Sequence, residues 1–440
     1  MNLKRQLEKL PNASESGIVL IAVLALVAVL ALVGTVSVVT TNTDIKISGN
    51  YKTSVQALYA AQAGIEEART RLRGPTSANI YAGDPAASPN PDWSAYILTS
   101  NTWQTSDDPN YNVGHTNYIP KWYPSANHTD TSIAPNSLQT GISYWVKIRH
   151  KREYDAEQAG HTTKSPHYYD NDGSTATHTA GEHGNIVYYG YGNPLSPTTA
   201  VQFTTSSPPA KYKPVEIITA CGQSGSSTHM IEIEVVRCPG PPILAPFYSK
   251  GGVTINGSSG KFYGTDTCSV NSSLPPIYTK GSIGGGGHPT YAGDPPLPVE
   301  NGSLDIDIEE YIQVMKDNAT ITITSDQSNT NYGSSNNYVI CYANMAELRL
   351  NGGTGFGILL VDGNLELGGN FTWNGFILVT GKIKMNGGGT GIIISGAILS
   401  GNSSETDSTN GQVTLKYNSC EIENALNNQP LTIIKWIEIY

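Results

Sequence analysis

Oxygen-bearing side chains that could bind a metal are concentrated near the middle of the chain. Asp170-Asn-Asp-Gly-Ser174 alternates oxygen donors around a glycine turn, as calcium loops do. A full calcium loop also needs a distal bidentate glutamate, and only Glu182 follows in the right direction. We therefore favour an Asx–Gly turn, with calcium bound by Asp170 and Asp172 as the alternative. No other cofactor is predicted, because the four histidines between residues 161 and 183 match no closed zinc pattern.

Acidic residues elsewhere have simpler explanations. Asp307 is predicted to cap a short helix and Glu310 to reach back to it, with Ile308, Ile312 and Met315 on the buried side. A carbohydrate-cleaving site would need clustered carboxylates, and residues 339–400 offer mainly Asp362 and Glu366, with Lys382 and Lys384. This set is too sparse, so the sequence predicts a protein without enzymatic activity.

The cysteines can form disulfides, and one pairing can be argued against. The chain has five: Cys221, Cys238, Cys268, Cys341 and Cys420. A hairpin over residues 215–236 would place Cys221 at its tip and Cys238 past its base, about 25 Å away at the rise of a strand. A disulfide needs Cα atoms within about 7 Å. Cys238 is therefore predicted to pair outward, with Cys268 as the nearest candidate.

Composition restricts the class of protein. Charged residues make up only 14% of the 440 residues, and there are 25 Tyr against 6 Phe. This mixture is typical of short strands and long polar loops on an extracytoplasmic surface, and it argues against a helical cytosolic enzyme. Residues 1–73 carry a net charge of +3 and the remainder −13. Without a basic stripe, nucleic acid is excluded as a partner.

An apolar segment near the amino terminus predicts a membrane span. Ile18–Val39 contains no charged residue, and 22 residues of helix cross the roughly 30 Å of a bilayer core. Lys4, Arg5 and Lys9 precede it, which predicts a cytoplasmic amino terminus. A cleaved secretory signal is the alternative, although such signals have shorter apolar runs.

The same helix is predicted to continue far beyond the membrane. Proline is absent between Pro11 and Pro75, so nothing breaks a helix over 18–73. One apolar stripe recurs every three or four residues: Val55, Leu58, Ala61, Ile65, Ala68 and Leu72. The membrane-spanning half is therefore followed by a half that packs on a globular head.

These residues resemble a known family. A basic leader ending at Gly17 before an apolar run is similar to the signals that prepilin peptidase cuts, which implies cleavage between Gly17 and Ile18 and methylation of the new amino group. Asp44–Tyr51 and Ala57–Ala68 resemble the N-terminal domain of PilX-type minor pilins of type IV pili. Family members usually have Glu where this chain has Gln62.

One departure from the pattern of pilins carries a functional implication. Major pilins have a glutamate at the fifth mature position, and the resemblance implies that its carboxylate neutralises the amino group of a neighbouring subunit. Here that position is Ala22. A subunit without this carboxylate suits the pilus tip. The resemblance implies that PilX-like minor pilins and K-type pseudopilins of type II secretion both lack it. An anchor that is never cut is the further alternative.

The rest of the chain is predicted to be rich in strands. Residues 75–140 are interpreted as loops; Ile142–His150, Val215–Ala220 and Met230–Val236 are predicted strands. The Gly- and Ser-containing segment Cys221–His229 is the predicted loop of a hairpin between the last two. Three glycine-ended runs recur at spacings of 17 and 18, beginning at Glu347, Asn364 and Lys382. Repeats over about 339–400 predict a β-solenoid, with an antiparallel meander as the alternative.

Together these observations predict an α+β fold: a long N-terminal helix on an antiparallel pilin-like sheet, then a Gly-rich, solenoid-like domain. The predicted units are a leader (1–17), the long helix (18–73), a β-rich head (74–238) and the solenoid-like domain (239–440). The resemblance implies a minor pilin that initiates pilus assembly and displays its head at the tip for adhesion and motility.

The implied location is the bacterial inner membrane, followed by the periplasm and the pilus tip. The implied partners are other minor pilins, the major pilin, a large tip adhesin, the assembly platform and prepilin peptidase. A K-type pseudopilin and a membrane-anchored enzyme acting on polysaccharide are the alternative functions.

Overall fold

The structure, a computed structural model, describes most of the chain. The described residues are 13–72, 94–98, 128–132, 141–151, 213–237, 239–429 and 431–439, with short pieces at 155, 168–169, 186–189 and 195. The statements below concern these residues.

One helix forms the amino-terminal part of the structure. Helix α1 (Ala13–Arg71) is continuous for 59 residues, which confirms the predicted long helix. Its last turn closes with a hydrogen bond from the Leu72 N–H to the Ala68 carbonyl (2.9 Å). The predicted stripe is confirmed: Ala61, Ile65, Ala68 and Leu72 are fully buried.

The first group of strands lies between residues 94 and 236. The strands are β1 (Ser94–Leu98), β2 (His128–Ser132), β3 (Ile142–His150), β4 (Tyr168–Tyr169), β5 (Tyr188–Tyr189), β6 (Lys213–Pro214), β7 (Glu216–Ser224) and β8 (Ser227–Val236). β3 has the predicted bounds. The strands β1 and β2 lie within 75–140, so the interpretation of that segment as loops was wrong for them.

The chain also continues as strand through most of the predicted hairpin loop. β7 and β8 pair antiparallel from Glu216 with Val235 to Ser224 with Ser227, which leaves a turn of two residues, Gly225 and Ser226. Gly225 has a φ of +58°, a conformation that glycine adopts without strain. The predicted loop Cys221–His229 is therefore mostly strand.

The second group of strands lies between residues 247 and 416, and we call it the parallel region. Its strands are β9 (Phe247–Ser249), β10 (Val253–Ile255), β11 (Lys261–Tyr263), β12 (Tyr278–Thr279), β13 (Ile283–Gly284), β14 (Thr290–Ala292), β15 (Ile321–Ile323), β16 (Gln327–Ser328), β17 (Val339–Val379), β18 (Ile383–Ser400) and β19 (Asp407–Lys416). Helix α2 (Ile308–Met315), a 3₁₀ turn (Lys316–Asn318) and helix α3 (Ser419–Asn427) accompany it.

Every pairing between these strands in the described residues is parallel. Leu365 in β17 pairs with Ile383 in β18, 18 residues later, and Lys384 in β18 pairs with Ser408 in β19, 24 residues later. Successive turns of chain therefore stack on one another. The antiparallel meander considered above is wrong for this region.

Part of strand β17 is buried on both faces. Leu359 and Val361 point into an apolar interior between the stacked turns. Ile358 and Leu360 alternate with them and belong to a second core that includes residues of α2 and α3. This two-sided burial explains the uninterrupted apolar run after Gly357.

The last strand of the chain returns to the first group. β20 (Thr432–Ile439) pairs antiparallel with β8, with Trp436 opposite Ile233. In the described part of the chain the sheet order is β2-β1-β3-β7-β8-β20, and we call this the helix-covered sheet. The predicted division at residue 239 did not anticipate this return, since the parallel region is inserted between two neighbouring strands of one sheet.

Helix α1 covers one face of the helix-covered sheet. Its buried stripe packs on Tyr144, Val146 and Ile148 of β3 and on alternate residues of β7 and β8. The helix approaches β7 closely at Gly222, where an added Cβ would overlap the Ala57 carbonyl oxygen and the Ala61 nitrogen. A residue without a side chain is therefore required at this crossing.

Candidate functional site: the exposed apolar half of helix α1

The amino-terminal half of α1 makes no contact that buries it. Every residue from Gly17 to Lys52 is exposed, and apolar side chains such as Ile18 (67%), Leu30 (61%) and Ile47 (60%) are included. In the described residues, Gly17–Arg71 is the one helix long and apolar enough to span a membrane. So large an exposed apolar surface requires a lipid or protein environment.

The hydroxyl side chains between Thr35 and Thr43 satisfy their hydrogen bonds within the helix. Five hydroxyls each donate to the carbonyl four residues earlier, at 2.5 to 2.9 Å: Thr35, Ser37, Thr40, Thr41 and Thr43. These groups can therefore be removed from water without leaving an unpaired donor.

The predicted processing site lies at the start of this exposed half. Gly17 and Ile18 are both in α1, and among the described residues no atom outside the helix's own backbone lies within 4 Å of where a Gly17 Cβ would be. Ala22 is also exposed. Cleavage itself stays a prediction.

Polar contacts begin where the exposed half ends. Thr53 and Ser227 share a hydrogen bond of 2.8 Å, and Ser54 is 2.8 Å from Nε2 of His229. The Ser224 hydroxyl donates to Gln56 at 3.0 Å. These bonds tie the middle of α1 to the β7–β8 turn.

The carboxyl end of α1 is fixed by two arginines. Arg69 donates to the Leu431 carbonyl at 2.7 Å, just before β20 begins. The buried Arg237, at the end of β8, donates to the carbonyls of Leu72 and Asn427. The buried half of α1 is therefore held to the head at two levels, near Ser54 and near Leu72.

Two buried pairs of polar side chains occupy the same end of the helix-covered sheet. His150 lies 3.0 Å from Glu216, and Lys151 lies 2.7 Å from Glu234. Burial raises the pKa of Glu216, with His150 acting against this effect. Burial lowers the pKa of Lys151, and Glu234 opposes that change.

The disulfide differs from the predicted one. Cys268 is bonded to Cys420, with Cα atoms 5.8 Å apart, so the predicted pairing of Cys268 with Cys238 was wrong. Cys238 lies outside the described residues. Nearness in sequence did not decide the pairing, because stacking brings the 266–271 segment against the start of α3.

Asp266 holds the same two segments together. Its carboxylate accepts hydrogen bonds from the backbone N–H of Cys268, Val270, Asn271 and Ser419 and from the Ser419 hydroxyl, at 2.7 to 3.2 Å. Burial alone would raise the pKa of Asp266. The hydrogen bonds outweigh burial and lower the pKa to about 2.

The predicted metal loop cannot be compared with the structure. Asp170, Asp172 and the four histidines lie outside the described residues, so calcium binding stays a prediction. Within the described part of the chain, no three His, Cys, Asp or Glu side chains are grouped so that they could hold a metal ion.

Of the residues considered for polysaccharide chemistry, Glu366, Lys382 and Lys384 form ion pairs, and Asp362 accepts a hydrogen bond from the Thr380 hydroxyl. Glu366 lies 3.3 Å from Arg349 and 3.5 Å from Lys384, on neighbouring turns of the parallel region. Lys382 pairs with Glu405. These contacts lie along the stacking direction and link successive turns.

The helix predicted near residue 307 is confirmed. The Asp307 carboxylate accepts a hydrogen bond from the Glu310 N–H at 3.0 Å, and Ile308, Ile312 and Met315 are buried. Asp305, just outside this helix, is paired with Lys250 and Lys280. Burial alone would raise its pKa, but hydrogen bonds and charge from these lysines lower it.

Helix α3 and strand β20 were not predicted, although the sequence contains the patterns of both. Asn418 caps α3, with its side chain accepting from the Glu421 N–H at 3.2 Å. An Asn followed three residues later by Glu is a known helix start. Thr432–Ile439 is rich in β-branched and aromatic residues, which predicts a strand, although not its partner.

These features define a pilin-like protein: a long helix with an exposed apolar half and a buried half on an antiparallel sheet. Residues 16–66 match the family model described as PilX N-terminal, so over this segment the chain is similar to type IV minor pilins.

The chain matches a solved pilin structure, among others. The crystal structure of the competence-associated pilin ComZ from Thermus thermophilus has 10% sequence identity and a TM-score of 0.21, over 88% of this chain and 97% of that one. At this TM-score the likeness carries no argument. No curated protein matches the chain.

Proposed function

We propose that this chain is a minor pilin that helps to initiate and cap a type IV pilus. The observation that carries the proposal is the change along α1: residues 17–52 are exposed, whereas the stripe from Ala57 to Leu72 is buried on the head. A helix of this kind stays in the inner membrane until its exposed half packs among helices of other pilins.

The proposed sequence of events begins with processing. Prepilin peptidase cuts between Gly17 and Ile18, and the new amino group is methylated. The apolar half then joins other minor pilins and the major pilin at the assembly platform. The head faces the periplasm and later the cell surface, where a large tip adhesin is the further proposed partner.

Ala22 supports a place at the tip. An amino group buried among apolar helices costs several kcal/mol unless a carboxylate compensates it. A shaft subunit without a carboxylate at this position would repeat that cost at each interface, whereas a tip subunit has no neighbour above it.

The size of the head supports the same place. We propose that the parallel region is a short β-solenoid, because β17, β18 and β19 pair in parallel at 18 to 24 residues of separation. A head that includes this region would obstruct lateral packing along a shaft, and it suits display for adhesion.

Analysis of the mature amino terminus tests the processing step. Intact-mass measurement on protein from its host is expected to give a chain that begins at Ile18 with a methylated amine. Gly17→Leu should leave the leader attached. Gly34→Leu is a matched control, because Gly34 also lies in α1 with no atom within 4 Å of a Cβ. A mature chain that begins at Met1 in the unsubstituted protein would contradict this step.

Immunogold labelling of sheared pili tests the place in the filament. We expect a few gold particles per pilus, concentrated at one end. Even labelling along the shaft would exclude a tip subunit. Labelling of secretion-system pseudopili instead of type IV pili would favour a K-type pseudopilin.

A further inference from the structure

The parallel region is joined to the helix-covered sheet by two adjacent stretches of chain. It is inserted between β8 and β20, and Val236 of β8 pairs with Thr432 of β20. Two connections that leave a sheet side by side let an inserted region rotate about the line between them, unless other contacts prevent it. The contacts beside these connections therefore decide whether the parallel region has a single orientation.

Arg237 makes the first of these contacts. It directly follows β8 and is buried. Its Nη1 donates to the Asn427 carbonyl at the carboxyl end of α3, at 2.7 Å, and its Nη2 donates to the Leu72 carbonyl at the carboxyl end of α1. A cation at this place also meets the negative partial charge of both helix ends. One guanidinium therefore connects the long helix to a helix of the parallel region.

Ile186 makes the second contact. Its side chain is buried in the core of the parallel region that includes residues of α2 and α3. The next residue, Val187, donates its N–H to the carbonyl of Lys151, directly after β3, at 2.9 Å. Further along, the Leu195 carbonyl accepts from the Asp307 N–H at the start of α2, at 2.8 Å. The parallel region is therefore also held by a segment that is attached to the helix-covered sheet.

The contact of Arg237 lies far from the exposed half of α1. Helix α1 crosses the sheet from Ser54, beside His229, to Leu72, beside Arg237. At 1.5 Å per residue this distance is about 27 Å. The orientation of the parallel region at this end therefore sets where its surface lies relative to the exposed half.

We propose that Arg237 and Ile186 lock the parallel region in one orientation relative to α1. The two-point contact requires arginine, because its guanidinium presents two terminal nitrogens in a rigid fork, whereas lysine has a single nitrogen. A load on the parallel region then reaches α1 without rotation at the two connections. The proposal goes beyond the proposed function, because it concerns orientation and holds whether or not the chain enters a pilus.

Distance measurements on the purified full chain in detergent micelles test the lock. Spin labels are attached through genetically encoded keto amino acids, which leaves the native cysteines unlabelled. The labelled positions are Thr70, exposed on α1, and Leu297, exposed on the parallel region. Double electron–electron resonance is expected to give one narrow distance peak. A broad or many-peaked distribution in this chain would overturn the proposal.

Substitutions at the two contacts identify their roles. Arg237→Lys keeps the charge but serves only one carbonyl, and it is expected to broaden the peak about twofold, as for regions free to move relative to each other. Ile186→Ala should broaden it by a similar factor. Arg349→Lys is the matched control, because Arg349 is exposed and its ion pairs with Glu347 and Glu366 lie within the parallel region.

The widths of these peaks decide the outcome. Detection of the Cys268–Cys420 disulfide verifies that each variant has folded. A peak as narrow as that of the control, in either folded variant, would refute the lock. If Arg237→Lys does not form the disulfide, the width measured for Ile186→Ala decides.

Discussion

The helix-covered sheet and the parallel region bury their strands by different means. The first depends on α1, a separate element that fits only because Gly222 and Gly64 leave room for it. The second covers itself, since each turn lies on its neighbour and alternate residues enter two apolar cores. Helix α1, which covers the first sheet, is also the proposed assembly element. We therefore expect the helix-covered sheet to lose its order when α1 is disturbed, whereas the parallel region should keep its structure.

The largest expected effect comes from opening the core of the parallel region. Trp373 is fully buried, stacks with Phe371 at a centroid distance of 6.1 Å, and donates from Nε1 to the Gly357 carbonyl at 3.1 Å. Trp373→Ala should lower the free energy of unfolding by about 4 kcal/mol, because a large cavity and an unpaired carbonyl remain.

Hydrogen exchange with mass spectrometry localises this effect. Amides of β17 and β18 should exchange faster in Trp373→Ala, while those of β3 and β7 keep their protection. Equal loss of protection in both sheets would show that the two regions unfold as one unit, which would contradict the comparison.

A substitution at Gly222 is expected to disturb only the helix-covered sheet. Gly222→Ala would force a Cβ onto the Ala57 carbonyl, so α1 must lift away from β7. We expect a cost of about 3 kcal/mol, at the upper end for overpacking. Amides of residues 57–72 should lose protection, and those of β17 should not. Gly284→Ala is the control, because a Cβ there would meet no atom within 4 Å.

Much of this comparison could be predicted from local patterns. The stripe from Ala61 to Leu72, the bounds of β3 and the glycine-ended repeats all follow from periodicities that neighbouring residues set. The return of β20 could not be predicted in this way. Its partner β8 precedes it by some two hundred residues, and strand propensity does not identify a distant partner.

The prediction of the disulfide was wrong for the same reason. Distance along the chain favoured Cys238, whereas stacking and the hydrogen bonds of Asp266 bring Cys268 to Cys420. The extent of the candidate site, by contrast, could largely be predicted from the sequence. Exposure of residues 18–39 follows from an apolar run that lacks a matching polar face, and burial begins near the start of the predicted stripe.

Acid should weaken the junction between the parallel region and α3. The pKa of Asp266 falls from an ordinary 3.8 to about 2 in the folded chain, so ionisation stabilises the fold at neutral pH. This stabilisation is present above about pH 4 and is lost as pH falls through 2, and it amounts to about 2 kcal/mol. Asp266→Asn should remove it at pH 7 and flatten the acid side of a denaturant-midpoint profile. An unchanged profile would show that these hydrogen bonds contribute little.

The smallest expected effect is a gain in stability, and it concerns Asp407, another buried aspartate of the parallel region. Asp407 accepts hydrogen bonds from neutral groups, the Ile383 N–H (2.7 Å) and the Ser400 hydroxyl (3.0 Å), and burial raises its pKa to about 7. The unfolded chain ionises this carboxyl from about pH 4, whereas the folded chain keeps it protonated, so its effect is to reduce stability as pH rises from about 4 to 7. An amide in place of this carboxyl would keep an oxygen acceptor for both donors and carry no charge, so Asp407→Asn should increase stability at pH 7.5 by about 1 kcal/mol. Chemical denaturation of Asp407→Asn at pH 7.5 measures this sign, and destabilisation would show that the carboxylate has a charged role in the fold.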